Sequence, residues 1–344
     1  MKFGLLFGFQ IPPGSPIRAH EPYQDMLRCL PRAEELGYVS AYSVEHHVQP
    51  DCMTPSPLIA LAGAAAVTER MRIGTNILLV PLYHPVKLAE DVAVLDNLSN
   101  GRFTFGVAPG YVSEEFALMG VPRDERNKRF EEALDLMQRA WTEETFSFEG
   151  HFYRVPECSL TPRPVQEPHP PIWYGVSGPL ALKRAARRGA TLVASPRHSL
   201  AELRAHYAAY DEEAARVGFE PTERPIVREV FIGRTMEEAE RLAAPGLEHL
   251  FTELYGKKSA QGERELRDDQ GTLITDEAAV SFETFKGRYV IGTPDFAISE
   301  IERYRDELGA TEIVCWMHLP GIPGDDVMTS VELFAREVMP AFAD

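Results

Sequence analysis

The chain has 344 residues, of which 44% are hydrophobic and 25% are charged, a composition typical of a globular protein with a large core. Its formal net charge of −17 argues against nucleic acid or an anionic membrane surface as a partner, because both are bound by excess Lys and Arg. No apolar stretch approaches the ~18 residues that predict a membrane-spanning helix. The 4 cysteines form no CxxC pair, so we expect a reduced, cytoplasmic protein without a disulfide framework or a metal site.

Short apolar runs alternate with longer amphipathic segments along the chain. The predicted strands are 2–9, 38–45, 72–80, 103–108, 172–176, 190–195, 226–233 and 312–317. The predicted helices are 21–36, 55–68, 85–99, 126–142, 179–188, 199–217, 235–251, 294–308 and 325–341. This alternation predicts right-handed βαβ units and a parallel sheet. Eight units favour an α/β fold with one (β/α)8 TIM barrel over 1–344, and an open doubly wound sheet is the alternative.

Two stretches exceed what eight plain units need. Residues 143–171 are rich first in aromatic residues and then in prolines, and we interpret them as a hairpin insertion followed by an extended connector. Residues 256–288 are polar, rich in charge and weakly periodic, which is typical of a mobile active-site lid or of a disordered segment.

Active sites of such barrels lie at the carboxyl ends of the strands, and several short motifs fall there. They include "EHH" at 45–47, "GVSGP" at 175–179, "SPRH" at 195–198 and "MHLPG" at 317–321. Histidine supplies proton transfer near neutral pH. Ser177 stands at the N-cap position of the next helix, where it either only caps that helix or forms part of a phosphate site. The residues alone do not name a reaction.

The block "HPVKLAEDVAVLDNLSNGRF" at 84–103 lies within a run, 72–120, that resembles the bacterial luciferase-like family of flavin-dependent monooxygenases. The "EHH" motif, "VIGTPDFAISEI" at 290–301 and "SVELFAREVMPAF" at 330–342 match that family as well. The resemblance covers nearly the whole chain in order. It implies a (β/α)8 barrel, in agreement with the strand count made from the residues themselves.

The resemblance implies a reaction and its partners. Members of the family let reduced FMN react with O2 to a C4a-peroxyflavin and deliver one oxygen atom to a small, largely apolar organic substrate. A separate NAD(P)H flavin reductase is the expected partner. His46 matches the family's active-site histidine, and imidazole suits acid/base work there. Glu45 is expected to orient that ring or to hold a flavin edge, and His47 is expected to be structural.

The resemblance also assigns cofactor-binding residues. Asn76 and Ile77 fall where the family carries a non-proline cis peptide against the flavin ring. Ser177 and Gly178 match the turn that holds the FMN phosphate, and Tyr111 is placed at the cofactor as well.

One position departs from luciferase. Where luciferase has an arginine that contacts the flavin phosphate, this chain has Pro109, and Arg126 or Arg129 at the start of the next long helix is the expected substitute. The departure keeps two alternatives open. One is an oxidoreductase that uses the deazaflavin F420 for hydride transfer, and the other is a non-catalytic subunit with the same fold.

The residues expected to line the substrate pocket are Phe7, Trp173, Arg228, Trp316 and His318. Arg228 lines up with an arginine that alkanesulfonate-cleaving relatives use on their substrate. The histidine two residues later in those enzymes is Val230 here, which does not favour a sulfonate substrate.

Helix 55–68 carries four consecutive small residues, Gly63 to Ala66. Small residues allow another helix to approach closely, and the family dimerises through helices of this region. We therefore expect a homodimer, and a heterodimer with a related chain is the alternative.

Overall fold

A curled, parallel β-sheet forms the centre of the chain, and α-helices pack against it. The structure is a computed structural model that describes residues 1–262 and 265–343. Over these residues the fold is mixed α/β, and ten strands share one sheet. No helix of this described part is both long and apolar enough to cross a membrane.

The bounds of the elements follow chain order. The strands are β1 (Lys2–Phe7), β2 (Ser40–Ser43), β3 (Arg72–Thr75), β4 (Leu78–Leu79), β5 (Phe103–Ala108), β6 (Phe146–Glu149), β7 (Arg154–Cys158), β8 (Ile172–Tyr174), β9 (Thr191–Leu192), β10 (Pro225–Ile232), β11 (Val290–Gly292) and β12 (Glu312–His318). The helices are α1 (Glu21–Glu35), α2 (Pro57–Val67), α3 (Pro85–Leu98), α4 (Ser113–Leu118), α5 (Arg126–Thr142), α6 (Pro179–Arg187), α7 (Leu200–Val217), α8 (Met236–Leu250), α9 (Lys257–Ala260), α10 (Pro294–Leu308) and α11 (Gly324–Leu333).

Neighbouring strands follow the order β11-β10-β12-β1-β2-β3-β5-β8-β9, with β4 paired to β5. In register, Leu5 of β1 lies opposite Cys315 of β12 on one side and Ala41 of β2 on the other. Beyond β9, Ala194 forms a parallel bridge with Ile226 of β10. The curl therefore brings the carboxyl ends of β2, β5, β8, β10 and β12 around one space, which the site occupies.

The strands form where the sequence predicts them, because each is an apolar run buried on both faces. All eight predicted strands are present, although most are shorter than predicted. The third is interrupted at Asn76–Ile77, so that 72–80 contains both β3 and β4. The predictions omitted α4 and β11, which are too short at 6 and 3 residues to show a period.

The two insertions have structures of their own. Within 143–171, β6 and β7 form an antiparallel hairpin, and a connector with cis peptides at Thr161–Pro162 and Glu167–Pro168 follows it. Within 256–288, α9 and short 3-10 turns bury Phe285 among the core residues. Of that segment, 263–264 lie outside the described residues, and its mobility stays a prediction.

Candidate functional site

A cavity of about 560 Å³ opens at the carboxyl ends of the strands. One wall is apolar and comes from four adjacent strands and the residues that follow them: Leu6, Val44, Val227 and Trp316. The other wall comes from the turns after β8 and β9 and from the start of α5, and it carries the polar groups. The cavity therefore joins an apolar half and a polar half.

His46 lies in the wall of this cavity and is almost buried. Its Nδ1 is 2.8 Å from Oε1 of Glu115, a carboxylate on α4, and the N–H of His47 donates to the same oxygen at 2.9 Å. Because a carboxylate accepts, Nδ1 carries the proton and Nε2 is left for a ligand in the cavity. Tyr111, also in the wall, meets the imidazole edge-to-face at 6.0 Å.

The charge of Glu115 is set by this contact. Burial opposes ionisation of the carboxyl group, but the charge and hydrogen bond of His46, with the N–H of His47, outweigh burial and lower the pKa of Glu115. Glu115 is therefore an anion at neutral pH, and its carboxylate lies against the ring of His46.

Glu45 has other partners. It accepts hydrogen bonds from the N–H of Leu79 at 2.5 Å, from the hydroxyl of Tyr83 and from Nε2 of His47 at 2.9 Å. Burial lowers the pKa of His47, but the hydrogen bond and charge of Glu45 outweigh it, so that the pKa is raised overall. Glu45 therefore does not orient the ring of His46, and the alternative that it holds a flavin edge stays a prediction. Residues 45 and 47 lie on the same side of the extended chain, because side chains alternate.

The Asn76–Ile77 peptide bond is cis, as the resemblance predicted, and both residues line the cavity. The side-chain Nδ2 of Asn76 is buried without a hydrogen-bond partner among the described residues. Ile77 occupies the position that a side chain at Gly175 would take, since a Cβ there would lie 1.3 Å from its Cδ1. The wall thus presents an unused donor beside an apolar surface.

Three arginines line the polar wall together with the turn before α6: Arg126, Arg184 and Arg197. Arg197 donates from Nη2 to Ser177 Oγ at 3.0 Å. The N-cap of α6 is Gly178, without a side-chain cap, so the structure contradicts the first of the two alternatives for Ser177, that it only caps this helix. Nothing lies within 4 Å of a Cβ placed on Gly178. Positive side chains and the N-terminal end of a helix dipole therefore surround open space.

Arg126 and Arg184 differ in their partners. Arg126 donates to the carbonyl of Arg123 at 3.0 Å and makes no ion pair with a carboxylate of the described chain. Burial and the charge of Arg123 both lower the pKa of Arg126. Arg184 lies 3.3 Å from a carboxylate oxygen of Glu131. An anion in this corner would relieve the unpaired charge of Arg126.

Arg129, the second residue predicted to replace the phosphate-contacting arginine of luciferase, lies outside the cavity. Arg129 forms an ion pair with Glu125 at 2.7 Å, and its guanidinium lies 4.5 Å from the ring centre of Phe152. It does not line the cavity. Of the two arginines predicted as substitutes at Pro109, only Arg126 faces the site.

Two residues predicted for the substrate pocket lie on the outer face of the sheet. Phe7 and His318 border a separate small cavity of about 60 Å³ together with Asp25 of α1. Nε2 of His318 lies 4.0 Å from that carboxylate. Side chains alternate along a strand, and on β1 the inner face belongs to Leu6. The register between β1 and β12 shifts between Leu5 and Phe7, so Phe7 lies opposite His318 at an irregular point where simple alternation from Trp316 does not hold.

Arg228 and Trp173 are also outside the cavity wall. The guanidinium of Arg228 is buried 4.6 Å from the ring centre of Tyr304 on α10, while its neighbour Val227 faces the cavity. Trp173 packs against Tyr42 at 5.1 Å in the core. Of the predicted pocket residues, only Trp316 lines the cavity.

Comparison with known proteins decides the family. A sequence model of the luciferase-like monooxygenases matches residues 1–312. The chain belongs to this family. The resemblance seen in its motifs is thereby confirmed, and the cavity lies at the strand ends of a luciferase-like fold.

The relatives of this luciferase-like chain include proteins named for different reactions and cofactors. It is 27% identical over 336 residues to a protein of Acinetobacter baylyi named flavin-dependent trigonelline monooxygenase, oxygenase component, with 94% of this chain and 90% of that protein covered. The oxygenating constituent of 3,6-diketocamphane monooxygenase of Pseudomonas putida, solved with FMN, superimposes with a TM-score of 0.81 at 22% identity, covering 99% and 98% of the two chains. An F420-dependent secondary alcohol dehydrogenase has a TM-score of 0.76 at 19% identity, covering 100% and 99%. At these identities the two solved structures show that the fold is shared, and they are not evidence for which cofactor this chain binds.

Three residues of the luciferase-like site were missed by sequence reasoning. Glu115 lies on a helix too short to be predicted, and nothing local to "EHH" indicates it. Arg184 lies on a predicted helix among other basic residues. Arg197 falls within "SPRH", which was placed at the correct strand end but received no role. Among the residues the structure describes, no cluster of His, Cys, Asp or Glu could hold a metal ion.

Proposed function

We propose that the chain is the oxygenase component of a flavin-dependent monooxygenase. It binds reduced FMN, uses O2, transfers one oxygen atom to a small organic substrate, and receives reduced flavin from a separate NAD(P)H flavin reductase. The observation that carries the proposal is a single cavity with His46, held by Glu115, and an arginine-lined corner at the start of α6. The relative named as the oxygenase component of a flavin-dependent monooxygenase supports it.

The residues present fit an FMN molecule. The corner formed by Arg126, Arg184 and Arg197 suits a phosphate, because guanidinium groups bind phosphate through paired charge-assisted hydrogen bonds. The unused donor of Asn76 suits a carbonyl or nitrogen acceptor on the edge of a heteroaromatic ring. Ile77, next to it, offers apolar contact to the face of such a ring.

Reduced FMN, when bound, supplies the two electrons with which one atom of O2 enters the substrate and the other leaves as water. His46 holds or releases a proton at Nε2, on the cavity side. Glu115 fixes the tautomer through Nδ1 and offsets the positive charge when the ring is doubly protonated. The apolar wall with Leu6, Val44 and Trp316 keeps water from the reacting atoms and favours a largely apolar substrate.

The proposal also includes closure of the sheet into a barrel. We propose that the sheet closes into a (β/α)8 barrel between β9 and β10, supported by the hydrogen bonds of Ala194 to the carbonyl of Pro225 and from the N–H of Val227, both at 3.1 Å. A barrel of this kind carries its active site at the carboxyl ends of its strands, where the cavity opens.

A homodimer through α2 and α3 is proposed from exposed apolar side chains. Ile59 is 76% exposed, and Val94 and Leu98 on α3 are 43% and 61% exposed. Gly63 supports packing within the chain instead, since a Cβ there would lie 3.3 Å from Leu27 of α1. Light scattering on the wild type and on Ile59→Glu tests this; a monomeric wild type would contradict it.

Single-turnover oxidation tests the reaction. The chain is loaded anaerobically with reduced FMN and mixed with 18O2 and a panel of small organic compounds. The proposal expects 18O in an organic product and flavin that reoxidises at a rate unlike that of free flavin. Reoxidation at the rate of free flavin, or retention of F420 in place of FMN, would overturn it and favour the deazaflavin alternative. Loss of flavin binding altogether would favour the non-catalytic subunit.

A further inference from the structure

Glu229 is a carboxylate without a partner inside the sheet. It lies on β10 opposite Trp316 of β12 in parallel register, so the two side chains take the same face of the sheet. Trp316 lines the cavity, as does Val227, two residues before Glu229 on the same face. Glu229 is fully buried, and neither carboxylate oxygen is hydrogen-bonded to another residue that the structure describes.

Two further unused polar atoms lie in the same region. Among the residues that the structure describes, neither the indole Nε1 of Trp316 nor Oε1 of Gln10 has a hydrogen-bond partner. Both groups lie near Gly8, where a Cβ would be 2.8 Å from the indole and 3.3 Å from that oxygen. Gln10 uses Nε2 to donate to Asp51 at 2.7 Å, so its amide orientation is fixed with the acceptor free. Trp316 lines the cavity, and the acceptor oxygens of Gln10 and Glu229 lie beside its indole without lining the cavity themselves.

The positively charged neighbours of Glu229 do not pair with its carboxylate. Arg228, its neighbour, points to the outer face, where it contacts Tyr304. Arg288 is paired with Asp269 at 2.7 Å, and Tyr289 follows it in the chain. Burial raises the pKa of Glu229 to about 7, and its own N–H, Arg228 and Arg288 offset this only in part. The carboxylate of Glu229 therefore lies on the same face of β10 as Trp316, and the guanidinium of Arg228 lies on the opposite face.

We propose that Glu229 makes the Trp316 side of the cavity selective for an organic cation. This inference rests on the proposed function, and it adds that the substrate carries a positive charge at the end lying against the indole. A cation is favoured there by the ring face of Trp316 and by a carboxylate acting through apolar protein, where charge interactions are strong. Glu229 is a specificity-determining residue and takes no part in the proton transfer at His46.

The test uses two probes of nearly equal shape, the N-methylpyridinium ion and toluene, which differ in charge. Each is titrated calorimetrically into the full chain loaded with oxidised FMN, so that no turnover occurs. Wild type is expected to bind N-methylpyridinium roughly tenfold more tightly at pH 8.5 than at pH 5.5, with toluene unchanged between the two. The cation has no titratable proton, so the change reports the protein.

Glu229→Gln is expected to remove both the preference for the cation and its pH dependence, while the affinity for toluene and FMN stays. Glu223→Gln, which changes a half-exposed carboxylate just before β10, is the matched control and should behave as wild type. Equal binding of the two probes by wild type overturns the inference, and so does a preference for the cation that Glu229→Gln retains. The wild-type result needs no variant, so it decides the question even if Glu229→Gln is unstable. Failure of the chain to bind reduced FMN in an anaerobic titration refutes the proposed function instead, and titration of the two probes into the free chain then still decides the cation preference.

Discussion

Oε1 of Glu115 holds two successive residues of the "EHH" motif, Nδ1 of His46 at 2.8 Å and the N–H of His47 at 2.9 Å. One carboxylate oxygen from α4 therefore fixes both the backbone and the ring of the motif. The ring keeps its tautomer only while that oxygen is an acceptor. This contact links a helix after β5 to the loop after β2, and it sets the geometry of the proposed proton transfer.

Glu115→Gln is expected to lower kcat about 10- to 100-fold, because the amide neither offsets an imidazolium nor enforces the tautomer. The dissociation constant for FMN and the melting temperature should change little. Glu114→Gln, at an exposed position paired with Lys258, is the matched control. Glu115→Asp should recover part of kcat, and a variant that lost FMN binding together with kcat would show a merely structural role.

Arg126→Met is expected to weaken FMN binding about 10- to 100-fold, the loss of one charge-assisted contact to phosphate. Riboflavin, which lacks the phosphate, should bind equally to variant and wild type. Arg129→Met makes the same change at a residue paired with Glu125 outside the cavity, and it should leave FMN affinity unchanged. Fluorescence titration of FMN and of riboflavin into wild type and into each of the two variants measures all six affinities. Equal effects of the two substitutions would remove Arg126 from the site.

Segment 256–288 is expected to be cleaved more slowly by trypsin when FMN is bound. Arg197 contacts Ser177 Oγ at 3.0 Å and also the carbonyl of Glu265, so a phosphate held by this arginine stabilises the segment. Cleavage at Arg154 in the exposed hairpin serves as an internal reference. Mass spectrometry of the fragments reads both sites, and an unchanged ratio of the two rates would contradict a lid.

Glu229→Gln is expected to increase the free energy of unfolding at pH 8 more than at pH 5. The pKa of Glu229 is raised from its ordinary 4.5 to about 7 in the folded chain. A raised carboxyl pKa costs the folded state stability as pH rises through that window, on the order of 3 kcal/mol once the group is ionised. Urea unfolding at both pH values measures the difference, and an equal gain at pH 5 and pH 8 would contradict it.

The strands and the place of the site were predictable from local patterns. Eight apolar runs with helices between them indicate a parallel sheet, and the carboxyl ends of such strands converge. That reasoning brought "EHH" and "GVSGP" to one cavity, as the structure shows.

The facing of individual side chains was not predictable in the same way. In strands buried on both sides both faces are largely apolar, so the sequence does not distinguish Phe7 from Leu6, which forms the wall. Arg228 is predicted for the pocket from its match to an arginine of alkanesulfonate-cleaving relatives, but its neighbour Val227 forms the wall. Glu115 comes from a distant short helix, and only the folded chain brings it to His46. The partner of Glu45, by contrast, was within reach of sequence reasoning, since residues two apart on an extended chain share a side.

Anaerobic titration of the wild-type chain with reduced FMN, reduced riboflavin and reduced F420 tests the central claim most directly. We predict saturable binding of reduced FMN that is at least about tenfold tighter than that of reduced riboflavin, because the arginine corner holds the phosphate. Reduced F420 should bind more weakly than reduced FMN. Equal affinities for FMN and riboflavin, or tighter binding of F420, would contradict the account.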